Sequence, residues 1–273
     1  CYSPAGRREL ASVLISNKLY FYGGWNRPNS SGVGLSDIFY IDLSQPFATS
    51  DPTFQSQGIL VPKAAYSAVV YENEIIIFGG GATVISPGII NDLVIVNETN
   101  SFVSNITLTS KNGSNSNSWP SPRRWHTAVI DSTKAKMYIW GGEDNNGNTL
   151  GDALYIFDVL KYSWEASTLT TQPNGRKQHT ATLIPDGKII FIGGINNPDI
   201  TQLDIYDTIA DQWSQKKATT SGSVFSRWSH TATLTTNNRS IIMYGGQSNN
   251  SYPIGSIAVL DLTTYIWTNT IPS

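Results

Sequence analysis

The sequence predicts an all-β fold, a β-propeller of four-stranded antiparallel blades, from a repeat and from the strands inside it. Five apolar runs each end in a Gly-Gly pair, and successive pairs lie 56, 62, 52 and 52 residues apart. Self-similarity at about 50 residues is typical of repeat folds. Within each period, four short apolar runs are separated by Gly, Asn and Asp, with too little room for a helix. The pairs begin at Gly23, Gly79, Gly141, Gly193 and Gly245.

The strands of each repeat follow from fixed landmarks. The second strand ends at the Gly-Gly pair, because glycine permits positive φ and a sharp exit from the sheet. The third strand ends at Asp or Asn, and in the last three repeats a Trp six residues later opens the fourth strand. The first two repeats have another aromatic residue nearby. The second strands are predicted over 18–22, 74–78, 136–140, 188–192 and 240–244. The third strands are predicted to end at Asp42, Asn97, Asp158, Asp207 and Asp261. The aromatic residues that follow them are Phe47 or Phe54, Phe102, Trp164, Trp213 and Trp267.

We expect one propeller domain over residues 1–273. A single four-stranded sheet of this size leaves its apolar faces in water, so each blade must pack on its neighbours. Aromatic side chains such as Trp164 and Tyr138 are expected to fill the space between blades, each removing roughly 150–250 Å² from water. The five repeats run approximately over 1–57, 58–115, 116–170, 171–220 and 221–273.

The composition excludes binding to nucleic acid through bulk charge. The chain has 18 Lys and Arg against 20 Asp and Glu, a net charge of −2, whereas that role requires an excess of basic residues. No apolar run approaches the roughly 18 residues that cross a bilayer as a helix. We therefore expect no nucleic acid partner, no membrane insertion within this segment, and a monomer.

The N-terminus and the glycosylation motifs favour a secreted or cell-surface glycoprotein. The chain begins at Cys1 rather than Met, which we interpret as a processed N-terminus from which any signal peptide has been removed. Cys1 is the sole cysteine, so an internal disulfide is excluded. A cytosolic protein that is merely rich in Asn is the alternative. Six Asn-X-Ser/Thr sites are predicted to be N-glycosylated, at Asn29, Asn97, Asn105, Asn112, Asn238 and Asn249.

A basic residue recurs at the start of every repeat, and we call these five residues the recurring cations. His, Tyr or Leu stands three residues later, and all three histidines of the protein occupy that place. Equivalent positions of successive blades form a ring around the channel of a propeller, so these cations are predicted to converge at one mouth and bind a ligand. The structural alternative is that each cation caps a strand of its own blade or pairs with a neighbouring Asp. The recurring cations are Arg7, Lys63, Arg123, Arg176 and Arg227, with Arg8 and Arg124 beside them.

The loops after the Gly-Gly pairs are predicted to open on the same face as the recurring cations, because the first strand begins where the second strand ends. Their polar and aromatic side chains are therefore further candidates for ligand binding at the rim of the channel. These candidates are Trp25, Glu143, Asp144, Asn145, Gln247 and Asn249.

These landmarks resemble the kelch repeat, which has Gly-Gly after an apolar strand, Tyr and Asp in the third strand, and Trp six residues later. The resemblance covers essentially the whole chain in five copies, and it is stronger in the last three. It implies four-stranded propeller blades, commonly six or seven to a ring, and binding of acidic peptide segments by arginines at the channel. Five copies depart from that number. We expect a ring of five blades, with a further blade beyond Ser273 as the alternative.

Metal-dependent chemistry is not predicted. His126, His179 and His230 lie one repeat period apart, and without a fixing carboxylate we expect them to pack between blades. Galactose-oxidase-like copper enzymes also resemble kelch propellers, and their site implies a Tyr crosslinked to Cys and a Tyr directly before a His. Here the sole cysteine is Cys1 at the terminus, so this copper site is not carried over. Iron-dependent plant kelch specifier proteins use carboxylates and a His at a fixed spacing, and that spacing is not found in this sequence. The residues before the histidines are Trp125, Gln178 and Ser229.

We therefore predict a non-catalytic binding module without a cofactor, which recognises a protein or peptide at the basic mouth of the channel. Lectin-like glycan binding is an alternative, with Trp25, Trp125 and Trp228 as stacking platforms. A divergent oxidase or a carbohydrate-active enzyme is the alternative from another class. Peptide binding through charge should weaken with salt, whereas stacking on glycans should tolerate salt.

Overall fold

The computed structural model describes residues 2–26, 34–48, 50–81, 88–97, 119–167, 169, 171–197, 199–249 and 254–270. In these ranges the backbone forms twenty β-strands and no helix, and the strands are arranged in five sheets. The molecule is a five-bladed β-propeller, which confirms the predicted fold class and number of blades. Within the same ranges no helix is long and apolar enough to cross a membrane.

In blades 1 to 4 the strands lie in the sheet in the order in which they occur along the chain, and neighbouring strands are antiparallel. Blade 5 has the same arrangement with one extra strand, which lies beside the last strand of the blade and runs parallel to it. Blade 1 contains β1 (Ala11–Ile15), β2 (Lys18–Tyr22), β3 (Asp37–Asp42) and β4 (Phe54–Ile59), and blade 2 contains β5 (Ser67–Tyr71), β6 (Glu74–Phe78) and β7 (Leu93–Asn97). Blade 3 contains β8 (Thr127–Asp131), β9 (Lys136–Trp140), β10 (Tyr155–Asp158) and β11 (Ser163–Ala166), and blade 4 contains β12 (Thr180–Leu183), β13 (Lys188–Ile192), β14 (Gln202–Asp207) and β15 (Gln212–Lys217). Blade 5 contains β16 (Thr219–Ser221), β17 (Thr231–Leu234), β18 (Ser240–Tyr244), β19 (Ile257–Asp261) and β20 (Ile266–Thr268).

The strand landmarks are confirmed in all five blades. The second strands have the predicted bounds, and the third strands end at the predicted Asp or Asn. Phe54 opens β4, so Phe54 rather than Phe47 corresponds to the tryptophans of the later blades. Phe102 lies outside the described residues, and blade 2 has three described strands. The local landmarks therefore determine where strands end even in the two degenerate repeats.

The first strand of each blade begins later than the recurring cation. In every blade this strand starts four residues after the cation, so β8 begins at Thr127 and the cation is Arg123. The cation therefore belongs to a separate segment that precedes the strand. This segment, rather than the strand itself, carries the candidate site.

The apolar core lies between the blades. Four clusters of buried side chains each join two consecutive blades, from the pair of blades 1 and 2 to the pair of blades 4 and 5. Trp164 in β11 packs on Phe78 in β6 with ring centroids 5.1 Å apart, and Tyr138 in β9 lies 6.1 Å from Tyr206 in β14. Aromatic side chains thus fill the space between blades, as predicted.

Blade 5 has a fifth strand that the sequence analysis did not predict. β16 runs parallel to β20 and pairs Thr219 with Ile266 and Ser221 with Thr268. Its residues lie in the connection from blade 4. This connection therefore covers the outer edge of blade 5 and satisfies backbone groups that an edge strand would leave open.

Candidate functional site

In each blade the residue after the recurring cation lies beside the residue that follows the Gly-Gly pair. Arg124 and Glu143 exchange two backbone hydrogen bonds, at 3.1 and 2.9 Å. The same bridge occurs in all five blades, so the loops after the Gly-Gly pairs open on the face where the sequence places them. We call this face the mouth. The bridged pairs that define it are Arg8 with Trp25, Ala64 with Gly81, Arg124 with Glu143, Lys177 with Ile195, and Trp228 with Gln247.

Four of the five recurring cations are buried beneath the mouth, and the side chain of Arg7 is 6% exposed. Lys63 and Arg123 are fully buried, and Arg227 is 1% exposed. Each cation donates a side-chain hydrogen bond to the carbonyl oxygen of the first glycine in the Gly-Gly pair of its own blade. The distances to the oxygens of Gly23, Gly79, Gly141, Gly193 and Gly245 are 3.0, 3.2, 3.0, 3.3 and 3.2 Å.

Four of the recurring cations also form an ion pair inside their own blade. The guanidinium of Arg123 contacts the carboxylate of Asp152 at 2.8 and 3.3 Å, a two-point contact that suits the planar fork of arginine. In blade 5 Arg227 instead donates to the backbone carbonyl of Ser256 at 3.0 Å. The pairs are Arg7 with Asp37, Lys63 with Asp92, Arg123 with Asp152, and Arg176 with Asp204.

These contacts favour the structural alternative for the recurring cations. A buried cation that is already paired and hydrogen-bonded holds its own blade together, and a ligand would have to break those contacts to reach it. The structural role is the alternative that the sequence offered for each of these cations. Ligand binding stays a prediction for Arg7, Lys63, Arg123, Arg176 and Arg227.

Backbone hydrogen bonds join consecutive blades at the mouth. In every blade the residue two positions after the recurring cation has a φ between 54° and 58°. The N–H of Trp125 donates to the carbonyl of Ala65 at 2.9 Å, and three further bonds of this kind join the other consecutive blades. These bonds were not predicted, although the constant offset of their residues from the cation was a usable signal in the sequence. The channel ring consists of Glu9, Ala65, Trp125, Gln178 and Ser229.

Two members of the channel ring form a cluster with residues of the mouth. A carboxylate oxygen of Glu9 accepts hydrogen bonds from the indole N–H groups of Trp25 and Trp125, at 2.9 and 3.3 Å. The guanidinium carbon of Arg124 lies 4.1 Å from the ring centroid of Trp125, which is a cation–π contact. The structure thus brings the predicted residues Trp25 and Arg124 together around Glu9, an acid that the sequence analysis did not single out.

Glu143 joins cations from two neighbouring blades. It accepts a hydrogen bond from Arg124 of its own blade at 2.6 Å and another from Lys177 of blade 4. Burial by itself raises the pKa of Glu143, but the hydrogen bonds from Lys177 and Arg124 outweigh burial and hold this pKa below its usual value. The carboxylate is therefore ionised at neutral pH, and it ties blade 3 to blade 4. Lys177 is a further residue that the sequence analysis missed.

Of the remaining predicted residues in blades 1 and 3, Asp144 and Asn145 bond to backbone groups of loops, and Arg8 is exposed to solvent. Asp144 accepts hydrogen bonds from backbone N–H groups two and four residues later, at 2.9 and 2.8 Å, and so shapes its own loop. The side chain of Asn145 accepts from the N–H of Ile89 in blade 2 at 2.7 Å. The side chain of Arg8 is 56% exposed, against 29% for Arg124. Arg8 is therefore the predicted cation that is most open to solvent.

A groove of about 720 Å³ lies at the mouth between blades 4 and 5. Trp228 and Phe225 line it, and Phe225 is 55% exposed. The buried Arg227 and the exposed Asn249 also contribute to its walls, while Gln247 bridges to Trp228 through the backbone. The volume and the aromatic lining suit the side chains of a peptide or a small organic group.

The three histidines pack between blades, as the sequence analysis expected. Nε2 of His126 lies 2.7 Å from the hydroxyl oxygen of Ser67 in the preceding blade. Burial lowers the pKa of His126 to about 3. In the described parts of the chain, no group of three or more His, Cys, Asp and Glu side chains is placed to hold a metal ion. The equivalent contacts join His179 to Thr127 and His230 to Thr180, at 3.0 and 2.9 Å.

The fold and the repeated contacts agree with a comparison to protein families. The family model for the KLHDC2/KLHL20/DRC7 Kelch-repeats domain matches residues 65–273, which is more than half of the chain. The chain therefore belongs to the kelch-repeat β-propellers, the family that its landmarks resemble. Kelch propellers commonly bind protein partners.

Several curated proteins share the repeats over part of their length. Acyl-CoA-binding domain-containing protein 4 of Arabidopsis thaliana is 25% identical over 274 residues, which cover 97% of this chain and 38% of that protein. Ras guanine nucleotide exchange factor F of Dictyostelium discoideum is 32% identical over 138 residues, which cover 49% of this chain and 12% of that protein. N-(sulfonatooxy)prop-2-enimidothioate sulfolyase of Thlaspi arvense is 28% identical over 133 residues, which cover 47% of this chain and 37% of that protein. The chain thus spans well under two thirds of each of these relatives.

Proposed function

We propose that this propeller is a non-catalytic binding module that takes a protein or peptide ligand at the mouth. The proposal rests on two features of this face, an exposed cation in blade 1 and an open aromatic groove between blades 4 and 5. Arg8 is 56% exposed there, and the groove between blades 4 and 5 contains Trp228 and Phe225. A cation and an exposed aromatic surface on one face suit a peptide that carries both acidic and apolar side chains.

The hydrogen bonds at the mouth support an acidic ligand. Each carboxylate there already has partners, since Glu9 accepts from two indoles, Glu143 from two cations, and Asp144 from its own loop. The guanidinium of Arg8 approaches Glu9 at 3.9 Å and is otherwise largely exposed to water. An incoming carboxylate can therefore bond to Arg8 without displacing an internal contact.

A displayed library of random peptides tests this proposal. Peptides selected on the protein are expected to be rich in Asp, Glu and aromatic residues. Their binding should weaken with rising salt and fall roughly tenfold in Arg8→Ala and in Trp228→Ala, because each change removes a contact of about 1.4 kcal/mol or more.

Lys161→Ala is the matched control, because the side chain of Lys161 is 73% exposed at the turn between β10 and β11, at the opposite ends of the strands. Selected peptides should bind this variant as they bind the unchanged protein. Equal binding to Arg8→Ala and to the unchanged protein would remove the mouth as the recognition surface.

Glycan binding is a second candidate, because Trp125 and Trp228 are partly exposed at the mouth and can stack on sugar rings. Trp25 supports this candidate less, since it is 9% exposed and its indole N–H bonds to Glu9. On a glycan array, such binding should persist at high salt, fall in Trp228→Ala and remain in Arg8→Ala. That pattern would replace the peptide with a glycan as the ligand.

We also propose that the protein is secreted or displayed at the cell surface and carries N-glycans. Asn238 and Asn249 are exposed and Asn97 is partly buried, so two of the six sites are open to modification in the described chain. After expression through a eukaryotic secretory pathway, removal of glycans is expected to lower the mass of the protein. In Asn238→Gln this decrease should be smaller by the mass of one glycan. An unchanged mass would contradict this localisation. The other three sites, Asn29, Asn105 and Asn112, lie outside the described residues.

A further inference from the structure

Arg227 differs from the other recurring cations because its charge has no acidic partner among the described residues. It is 1% exposed, and its guanidinium donates four hydrogen bonds, all of them to neutral oxygen atoms. The acceptors are the carbonyls of Phe225, Gly245 and Ser256 and the hydroxyl of Ser256, at 3.3, 3.2, 3.0 and 3.3 Å. Each of the other four recurring cations forms an ion pair with an aspartate of its own blade.

The place of the missing acid follows from blades 1 and 2. Asp37 precedes Ile38, which pairs with the last residue of the second strand, and its two carboxylate oxygens contact Arg7 at 2.8 and 2.7 Å. Asp92 has the same place in blade 2. In blade 5 this place is occupied by Ser256. A serine hydroxyl carries no charge, so blade 5 keeps the arginine and lacks its acid.

The sequence around Arg227 offers no substitute for this acid. From residue 212 to residue 260 the chain contains no Asp or Glu. Asp261, the next acid, accepts the backbone N–H groups of Thr263 and Thr264 at the end of β19 that is remote from the Gly-Gly pair. Burial lowers the pKa of Arg227, because a buried guanidinium without a counter-charge is unfavourable. Blade 5 therefore holds an uncompensated positive charge.

The space beside Ser256 is open to a small anion. Ser256 is exposed, and the Cβ positions of Gly245 and Gly255 have no described atom within 4 Å. Nη2 of Arg227 has two N–H groups but one described acceptor, the hydroxyl oxygen of Ser256. One N–H of the buried guanidinium is thus left to bond with an anion, and the serine hydroxyl can turn to donate to that anion.

We propose that blade 5 binds a free tetrahedral oxyanion, of the phosphate or sulfate class, at Arg227 in the place that aspartate occupies in blades 1 and 2. One oxygen of the anion accepts from Nη2 of Arg227, and another accepts from the hydroxyl of Ser256. The guanidinium favours an oxyanion over a halide, because its N–H groups match separate oxygen atoms. The anion stabilises the blade from inside, so this site is distinct from the peptide surface at Arg8 and Trp228.

A titration with sodium phosphate tests the site directly. The backbone amide resonances of Gly245 and Ser256 are expected to shift and to saturate at roughly millimolar phosphate. Sodium sulfate should shift the same resonances, whereas sodium chloride at equal ionic strength should not. The comparison with chloride separates binding from the screening of charges by salt.

Ser256→Asp supplies the missing carboxylate from inside the blade. In chloride buffer this variant is expected to raise the melting temperature by about 2–4 °C, because the guanidinium gains a charged partner. The shifts of the Gly245 resonance with phosphate should be lost at the same time, because the new carboxylate takes the N–H and repels the anion.

Two matched variants separate charge from shape and from position. Ser256→Asn has the shape of aspartate without its charge, so it should not raise the melting temperature. Ser132→Asp adds the same charge at an exposed residue in the turn between β8 and β9, at the opposite ends of the strands. This variant should keep the response of Gly245 to phosphate.

Three results would overturn the proposal. Equal shifts in Ser256→Asp and in the unchanged protein would place the bound phosphate elsewhere. Shifts with acetate or with a selected acidic peptide, and none with phosphate or sulfate, would make a carboxylate ligand the occupant. No shift with any anion, together with equal melting temperatures of Ser256→Asp and Ser256→Asn, would show that Arg227 needs no counter-charge.

Discussion

At the scale of single residues, each recurring cation from blade 2 to blade 5 contacts two blades through two different groups. The side chain of Arg123 bonds to Gly141 and Asp152 in its own blade, while its backbone carbonyl accepts the N–H of Gly80 from the preceding blade at 2.9 Å. A buried cation is costly unless it is paired, so the side chain and its aspartate depend on each other. The recurring cation, which the sequence offers as a ligand-binding residue, therefore stabilises its own blade and the contact with the preceding blade.

Arg123→Ala is expected to lower the free energy of unfolding by about 3 kcal/mol, because Asp152 and the carbonyl of Gly141 lose their partner. Arg8→Ala is the matched change at the mouth, and it should alter stability by less than about 0.5 kcal/mol because Arg8 is largely exposed. Urea unfolding of the two variants measures the difference. If both were as stable as the unchanged protein, the structural role of the recurring cation would be wrong.

The histidines are expected to make the protein less stable in mild acid. Burial lowers the pKa of His126 and His230 to about 3, and that of His179 well below its usual value. Unfolded His binds a proton below pH ~6.5, so the unfolded state holds more protons between about pH 6.5 and 3. Stability is therefore complete above pH ~6.5 and falls below it, by up to about 1.4 kcal/mol per pH unit for each His.

Urea unfolding at pH 7, 6 and 5 measures this slope, in a range of pH that lies above the titration of ordinary carboxylates. Replacing His230 by Asn should reduce the slope, even though it also lowers stability at pH 7, because one titrating group is removed. A free energy of unfolding that stays constant from pH 7 to 5 would contradict the buried, uncharged state of these side chains.

At the scale of the strand and its exit, the Gly-Gly pairs combine an unusual backbone conformation with a close approach of the next blade. Gly193 has a φ of 63°, and a Cβ there would lie 2.4 Å from the carbonyl oxygen of Arg227. The first property is a local requirement of the turn. The second exists only because blade 5 packs on blade 4.

Gly193→Ala is therefore expected to cost roughly 3 kcal/mol of stability, from the strained φ together with the clash. Gly147→Ala has a similar positive φ and no described atom within 4 Å, so it should cost only about 1 kcal/mol. Thermal unfolding separates the two contributions. Equal losses would mean that the approach of the next blade adds nothing at this position.

At the scale of the whole molecule, the blades share their cores, so they are expected to unfold together. Leu93 in β7 is fully buried in the cluster that joins blades 2 and 3. Leu93→Ala should cost about 2–5 kcal/mol and should shift the unfolding midpoint equally by far-UV circular dichroism and by tryptophan fluorescence. Of the eight tryptophans, all but Trp25 lie in the third to fifth repeats, so the fluorescence reports mainly on that part of the chain. An unshifted fluorescence midpoint would show that the blades unfold one by one.

Landmarks within one repeat were enough to predict the strands, because strand ends depend on local chemistry. Gly-Gly marks the exit of the second strand, and Asp or Asn marks the end of the third, even where the repeat is degenerate. Contacts that cross from one blade to the next could not be predicted in this way. Glu9, Lys177 and the parallel strand β16 belong to this second group, because their partners lie in other blades or strands distant in the chain.

The sequence by itself determined the period of the repeat, the ends of the strands and the segment in which cations recur. These properties depend on backbone preferences and on the spacing of apolar residues within about 50 residues. Only the tertiary structure decided that four of the recurring cations pair with aspartates of their own blade, and that Arg8 and the groove beside Trp228 remain open. The physical reason is that burial and ion pairing depend on what packs against a side chain, and the packing partner here is a loop or a neighbouring blade.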